Sequence, residues 1–199
     1  MLTGPAGMMF LRRPGVIRAG QEEGGFDQVE RPDVFGCTPP YLPLASRPDV
    51  LVFQTAPLAE AVTLIGAVEI DLYVSTDAPD TDFSVKLIDV HPASVDYPQG
   101  YAMLLADGIV RLRYVEDPRA PRLRSPGEVM RVRRALLLTA NCFLPGHRIR
   151  VDISSSNFPR FDPNPNTGGA EAEGRTTRVA TNTVFVGGGR ASCVVLPVV

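Results

Sequence analysis

The stretch HRIRVDISS, residues His147–Ser155, carries the clearest signal of the fold. Ile149, Val151 and Ile153 alternate with charged residues, so one side of this segment is apolar and the other is polar. Because successive side chains of a β-strand point to opposite faces, the alternation predicts a strand with a buried face.

Similar alternating or apolar runs occur along much of the chain. They predict eight further strands, at Val50–Gln54, Val68–Val74, Phe83–Leu87, Tyr101–Leu105, Val110–Tyr114, Val129–Leu138, Val179–Val186 and Ala191–Leu196. Residues suited to tight reversals separate many of them, at Asp77–Asp80, Asp107-Gly108, Ser125–Gly127, Pro145-Gly146 and Gly187–Gly189. About nine strands without a convincing helix predict an all-β fold, an antiparallel jelly-roll sandwich.

The beginning of the chain differs from the rest in composition. The first 48 residues hold seven glycines and seven prolines and show no sustained hydrophobic period. We therefore expect an extended Gly/Pro-rich arm at 1–46 and a β-domain at 47–199.

Charge and hydropathy exclude several classes of partner. The formal net charge is only −2, and the basic residues are interspersed with carboxylates, so a nucleic-acid partner is not expected. No segment approaches the ~18 consecutive apolar residues of a membrane span. The first residues lack the order of a secretory signal, which makes the cytoplasm the expected location.

The three cysteines, Cys37, Cys142 and Cys193, are odd in number and far apart. They lack the spacing of a disulfide framework or a zinc site, and we expect reduced thiols. Cys142 and Cys193 lie in apolar sequence, which predicts that both are buried.

No catalytic residue is predicted. The Gly-x-Ser-x-Gly elbow of serine hydrolases is absent, and the two histidines, His91 and His147, lack a nucleophile motif nearby. We interpret both as ordinary residues at strand ends. A triad that combines one of them with Ser154–Ser156 has no support in the spacing.

No metal site and no cofactor are predicted either. Two histidines without HxxxH spacing do not match a familiar ligand pattern. Asp77, Asp80 and Asp82 offer oxygen ligands for calcium, but aspartates beside a proline are more typical of turn capping.

A long loop with several prolines and asparagines follows the strand His147–Ser155. Prolines leave it little conformational entropy to lose, and aromatic side chains offer apolar anchors. We predict a docking loop that contacts another domain or subunit, with the alternative that it folds over its own sandwich. Its candidate contact residues are Asn157, Phe158, Pro159, Arg160, Phe161, Asn164 and Asn166.

Several blocks of sequence resemble one hydrolase family. They are Arg47–Phe53, Asp80–Pro92, Asp107–Tyr114, Pro145–Arg150, Ser154–Gly168 and Val194–Val199. In this order they are similar to the C-terminal β-domain of the family of cocaine esterase, α-amino-acid ester hydrolase and glutaryl-7-aminocephalosporanic-acid acylase, which is related to the X-Pro dipeptidyl-peptidases.

The resemblance implies a galactose-binding-like jelly roll that packs against an α/β-hydrolase domain. In that family the α/β-hydrolase domain carries the catalytic serine, aspartate and histidine, so no catalytic residue carries over to this chain. We expect a non-catalytic C-terminal domain of a serine esterase, acylase or dipeptidyl-peptidase that is inactive alone and supports the catalytic domain and subunit assembly. The alternative is a free-standing binding or assembly module that associates with itself.

Overall fold

The computed structural model describes residues 8–10, 15–18, 27–33, 37, 39–169 and 176–199. These residues form eleven strands: β1 Met8–Phe10, β2 Gly15–Arg18, β3 Leu51–Gln54, β4 Val62–Thr76, β5 Asp82–His91, β6 Tyr101–Arg111, β7 Met130–Phe143, β8 Arg148–Ser154, β9 Thr181–Gly187, β10 Arg190–Ala191 and β11 Cys193–Val195. Short 3₁₀ helices occupy Leu44–Ser46 and Leu112–Tyr114. Among these residues no helix has the length and apolar character required to cross a bilayer.

The strands form two antiparallel sheets. The larger sheet has seven strands around the long strand β4, which pairs with β7 and also with β9 and β11. The smaller sheet has four strands in the order β3-β8-β5-β6. This arrangement confirms the predicted all-β antiparallel sandwich, while the jelly-roll connectivity stays a prediction.

One hydrophobic core lies between the two sheets, and the alternation seen in the sequence builds it. The inward-facing residues of β4, β5 and β8 are at most 1% exposed, and they are Val68, Ile70, Leu72, Val74, Phe83, Val85, Leu87, Ile149, Val151 and Ile153. Burying one such side chain stabilises the fold by about 1.5–3 kcal/mol. The period-two interpretation of these three strands is therefore confirmed.

The predicted turn at Asp107-Gly108 is wrong. Both residues lie inside β6, which continues from the predicted strand Tyr101–Leu105 to Arg111. The predicted strand Val110–Tyr114 is wrong beyond Arg111, because Leu112–Tyr114 form a 3₁₀ helix. Asp107 is buried, and a Cβ atom on Gly108 would lie 2.7 Å from Cδ2 of Leu136 on β7. The glycine therefore allows the edges of the two sheets to approach closely, a role that local sequence does not distinguish from a turn.

The predicted arm, 1–46, is described only in part, because residues 1–7, 11–14, 19–26, 34–36 and 38 lie outside the described residues. Within it, β1 pairs with β11 and β2 pairs with β9. The side chain of Leu44 is fully buried, and the backbone N–H of Gln28 donates to the carbonyl of Ala102 on β6. The boundary between an arm and a domain at residue 47 stays a prediction.

Candidate functional site

The predicted docking loop, which we call the 157–168 loop, follows β8 and is fastened to the sandwich by its asparagines. The side-chain amide of Asn157 donates to Oδ2 of Asp107 at 2.8 Å. That of Asn164 donates at 2.8 Å both to Oδ2 of Asp80 and to Oδ1 of Asp82. All of these side chains are buried, so the asparagines point inward and fix the path of the loop.

The opposite side of the 157–168 loop faces solvent. Pro159 and Arg160 are exposed, while Phe158 and Phe161 are half-buried. The Arg160 guanidinium lies 5.6 Å from the centre of the Phe161 ring, within the range of a cation–π contact, and its Nε is 3.2 Å from Oδ2 of Asp107. The structure thus divides the seven predicted contact residues into an inward asparagine set and an outward set around Arg160 and Phe161.

A groove adjoins this outward surface. Its first part, of about 350 Å³, is lined by Asp82, Ile109, Arg111, Tyr114, Phe161 and Asp162. A second part, of about 490 Å³, lies toward β7 and shares Ile109, Arg111 and Tyr114 with the first. Because β6 is at the edge of the smaller sheet, the 157–168 loop, the sheet edge and the groove form one continuous surface.

The oxygen-rich residues Asp77, Asp80 and Asp82 are engaged in contacts within the protein. Arg113 donates to Asp80 from its Nε at 2.7 Å, and Arg111 donates two bonds to Asp82 at 2.8 and 2.9 Å. Oδ1 of Asp77 accepts the backbone N–H of Thr181 at 2.9 Å. These contacts favour the interpretation of turn capping and ion pairing over calcium binding. Burial raises the pKa of Asp82, although Arg111 opposes the rise.

The two histidines, far apart in sequence, lie side by side at the other end of the sandwich. Their ring centres are 4.2 Å apart. Nδ1 of His147 is 2.9 Å from Oδ1 of Asp89, and Nε2 of His91 is 3.5 Å from Oδ2 of the same carboxyl group. Asn141 of β7 donates to Oδ2 of Asp89 at 3.1 Å. No motif in the sequence connects the two histidines with each other, with Asp89 or with Asn141.

The strand register explains this cluster. Asp89 and His91 follow Leu87 on the inward side of β5, and His147 precedes Ile149 on the inward side of β8. Because β5 pairs with β8 as Asp89↔Ile149 in antiparallel register, His147 is placed beside His91. The sequence gives only one sign of this cluster. The alternate, inward-facing positions of β5 continue beyond Leu87, and those of β8 begin before Ile149.

The geometry also decides the question of a triad with Ser154–Ser156. Ser154 is the last residue of β8 and the other two serines follow it, whereas His147 precedes the first residue of the strand. Seven strand residues at about 3.3 Å each separate them by about 20 Å, which is too far for proton transfer. Ser155 Oγ instead accepts a bond from the amide of Asn182 at 2.6 Å.

Cys142 and Cys193 are free thiols, as predicted. Cys193 is buried, and burial raises the pKa of its thiol. The prediction that Cys142 is buried is wrong, because the residue lies on the outward side of β7 and is exposed. A continuous apolar run does not reveal which of its alternate residues faces the core.

Three comparisons with known proteins agree with this structure. Residues 20–195 match the model of the X-Pro dipeptidyl-peptidase C-terminal non-catalytic domain. The cocaine esterase of Rhodococcus sp. strain MB1 Bresler is 44% identical over 159 residues, which are 79% of this chain and 27% of the esterase.

Two solved structures are similar over nearly the whole chain. An α-amino acid ester hydrolase has a TM-score of 0.74 at 30% identity and covers 96% of this chain and 32% of its own. An aminopeptidase from a marine sediment Thaumarchaeota archaeon has a TM-score of 0.75 at 30% identity and covers 98% of this chain and 34% of its own. This chain thus spans about a quarter to a third of the length of these relatives. The expected resemblance is confirmed, and the chain belongs to the family of X-Pro dipeptidyl-peptidase C-terminal non-catalytic domains.

Proposed function

We propose that this chain is the C-terminal accessory domain of a serine ester or peptide hydrolase and that it supports an α/β-hydrolase catalytic domain. The observation that carries the proposal is the match of residues 20–195 to a domain described as non-catalytic. The named relatives are an esterase, an ester hydrolase and an aminopeptidase, each about three times as long or longer. The reaction thus belongs to the class of acyl transfer to water, carried out by residues outside this chain.

We propose the outward side of the 157–168 loop as the contact with the catalytic domain. Arg160 and Phe161 offer a cation and an aromatic ring in one place, and both residue types are enriched at the centres of protein interfaces. The buried asparagines hold the loop in position before any partner binds, which lowers the entropic cost of association. The adjoining groove along β6 offers a recess for side chains of the partner.

A second candidate function is self-assembly of a free-standing module. It is favoured by an apolar patch on the outer face of the larger sheet, which we define as Ile65, Leu138, Ala140 and Cys142. Ile65 pairs with Ala140 across β4 and β7, and the Ile65 and Leu138 side chains are 59% and 77% exposed. Patches of this kind mark interaction sites, so we propose that the isolated chain associates with itself here.

The proposal also covers the extent of the folded unit and the location of the chain. We propose that 47–199 is the folded unit and that 1–46 is an arm attached to it. We also propose a cytoplasmic location, because the free thiols of Cys142 and Cys193 suit a reducing compartment.

The first experiment measures hydrolysis of an activated ester by the purified chain, together with labelling by a serine-directed fluorophosphonate. We expect neither turnover nor label. Stoichiometric labelling with turnover would contradict the proposal, and the labelled serine would identify a nucleophile in this chain.

The second experiment tests the partner. The chain is produced with the N-terminal catalytic part of the Rhodococcus esterase that lacks its own matching C-terminal segment, and co-purification is measured. The accessory role predicts a stable complex, whereas a chain that forms only homo-oligomers would support the self-assembling module.

A further inference from the structure

Asp89, His91 and His147 form a group of ligand-type side chains at the end of the sandwich away from the 157–168 loop. One ligand atom from each lies within 4.8 Å of the others. The cluster is independent of the proposed accessory function, because it lies far along β5 and β8 from that loop.

Hydrogen bonds within the protein leave one polar atom of this group without a partner. His147 and Asn141 satisfy the Asp89 carboxylate, which is itself almost completely buried. Nε2 of His91 is also removed from solvent and has no hydrogen-bond partner. A buried polar nitrogen without a partner is unfavourable in a folded protein, and a ligand at this point would remove the penalty.

The spacing of the three side chains suits a tetrahedral metal ion. Zn²⁺ binds imidazole nitrogen and carboxylate oxygen at about 2.0–2.2 Å, so that neighbouring ligand atoms lie about 3.3 Å apart. Nδ1 of His147 is 2.9 Å from Oδ1 of Asp89 and Nε2 of His91 is 3.5 Å from Oδ2, so each imidazole lies at about this spacing from one oxygen of the shared carboxylate. Two imidazoles with one carboxylate form a donor set for Zn²⁺, Cu²⁺ or Ni²⁺ more than for Mg²⁺ or Ca²⁺.

We propose that Asp89, His91 and His147 bind a divalent transition-metal ion, with Zn²⁺ as the reference ion. The Asn141 amide orients the Asp89 carboxylate in the manner of an outer-sphere partner. The His91 side chain is 34% exposed although its Nε2 is not, so the cluster lies just below the surface of the sandwich. The bound ion fastens the end of β5 to the residue that precedes β8.

The test measures Zn²⁺ and Co²⁺ binding to the full chain by calorimetry and by the visible spectrum of Co²⁺. We expect one equivalent of either ion and a higher melting temperature in Zn²⁺. His91→Ala should weaken binding by at least about 100-fold, since loss of even an outer partner costs about 10–100-fold. The matched control is Cys142→Ser, which removes an exposed thiol on the outer face and should leave the affinity unchanged.

A second variant keeps the test decisive should His91→Ala fail to fold. Asn141→Ala leaves all three ligands in place and should weaken Zn²⁺ binding by about 10–100-fold. Binding of less than half an equivalent to the unmodified chain would overturn the proposal. So would an unchanged affinity in both variants, or loss of binding in Cys142→Ser, which would assign the ion to a thiol.

Discussion

Nε of Arg113 lies 2.7 Å from Oδ2 of Asp80, and the two side chains are only 8% and 0% exposed. The backbone N–H of Arg113 also donates to Oδ1 of the same carboxylate at 3.0 Å. This pair links the turn before β5 to the 3₁₀ helix after β6. A buried charge without its partner is strongly unfavourable, so both residues must be present together.

We therefore expect Arg113→Ala to reduce the free energy of unfolding by about 3–5 kcal/mol. The control is Arg31→Ala, which breaks an exposed pair with Asp33 and should reduce the free energy of unfolding far less. Urea unfolding followed by circular dichroism measures both. If the two variants lost the same free energy of unfolding, burial would not determine the strength of the ion pair between Arg113 and Asp80.

Asn164 should matter to stability more than the exposed residues of its own loop. Its amide bridges Asp80 and Asp82, and removal of the amide leaves two buried carboxylate oxygens with one fewer donor. We expect Asn164→Ala to cost about 1–3 kcal/mol, and Asp162→Ala, which removes an exposed side chain of the same loop, to cost much less, both measured by urea unfolding. If the variant of the exposed residue lost more unfolding free energy than Asn164→Ala, the Asn164 amide would not be the contact that holds the loop in place.

Phe161→Ala tests the outward side of the 157–168 loop. We expect it to weaken the complex with the catalytic part of the Rhodococcus esterase by at least about 2 kcal/mol, the usual threshold of an interface hot spot. The melting temperature of the chain alone should hardly change, because the ring is half-buried outside the core. A large loss of thermal stability with unchanged binding would place the ring in the fold instead.

The apolar patch predicts the behaviour of the isolated chain. We expect concentration-dependent association in sedimentation experiments, and Leu138→Glu should abolish it by placing a charge at the most exposed large apolar side chain of the patch. Val95→Glu is the control, because Val95 is almost fully exposed in the connection between β5 and β6. Association that survives Leu138→Glu would exclude this patch as the contact.

The pair of Asp71 and Arg131 predicts a pH effect. Hydrogen bonds from Arg131 hold the pKa of Asp71 below its ordinary value of about 3.9. A carboxyl group of this kind stabilises the folded state above its unfolded pKa, and the contribution is lost as the pH falls through its folded pKa. We expect Asp71→Asn to cost about 0.2–1 kcal/mol at neutral pH, since Arg131 is exposed.

That difference between the wild type and Asp71→Asn should narrow as the pH is lowered below about 4. Chemical unfolding at a series of pH values measures it. A difference that stays constant with pH would mean that the ion pair contributes nothing to folding.

The period-two alternation of β4, β5 and β8 was sufficient to predict their inward faces, because each inward position is occupied by a large apolar residue. Such patterning failed for Cys142, since β7 is apolar on both sides over several residues. It failed also at Gly108, where the reason for glycine is the nearby Leu136 of a different strand.

The cluster at Asp89 could not be predicted from sequence for a related reason. Its position depends on the register between β5 and β8, and register is a property of paired strands that spacing along the chain does not contain. The proline- and asparagine-rich composition predicted a loop at 157–168, and its docking role stays a prediction. Which of its residues point inward could not be predicted, because their partners, Asp80, Asp82 and Asp107, lie far away in sequence.

The buried amides of Asn157 and Asn164 also have a kinetic consequence. A loop that is ordered before its partner arrives needs no folding step at the encounter, so the two surfaces should meet as rigid bodies with little backbone displacement. The association rate would then be limited by mutual orientation, at about 10⁵–10⁷ M⁻¹s⁻¹. Differences in affinity among loop variants should therefore arise mainly from the dissociation rate of the complex.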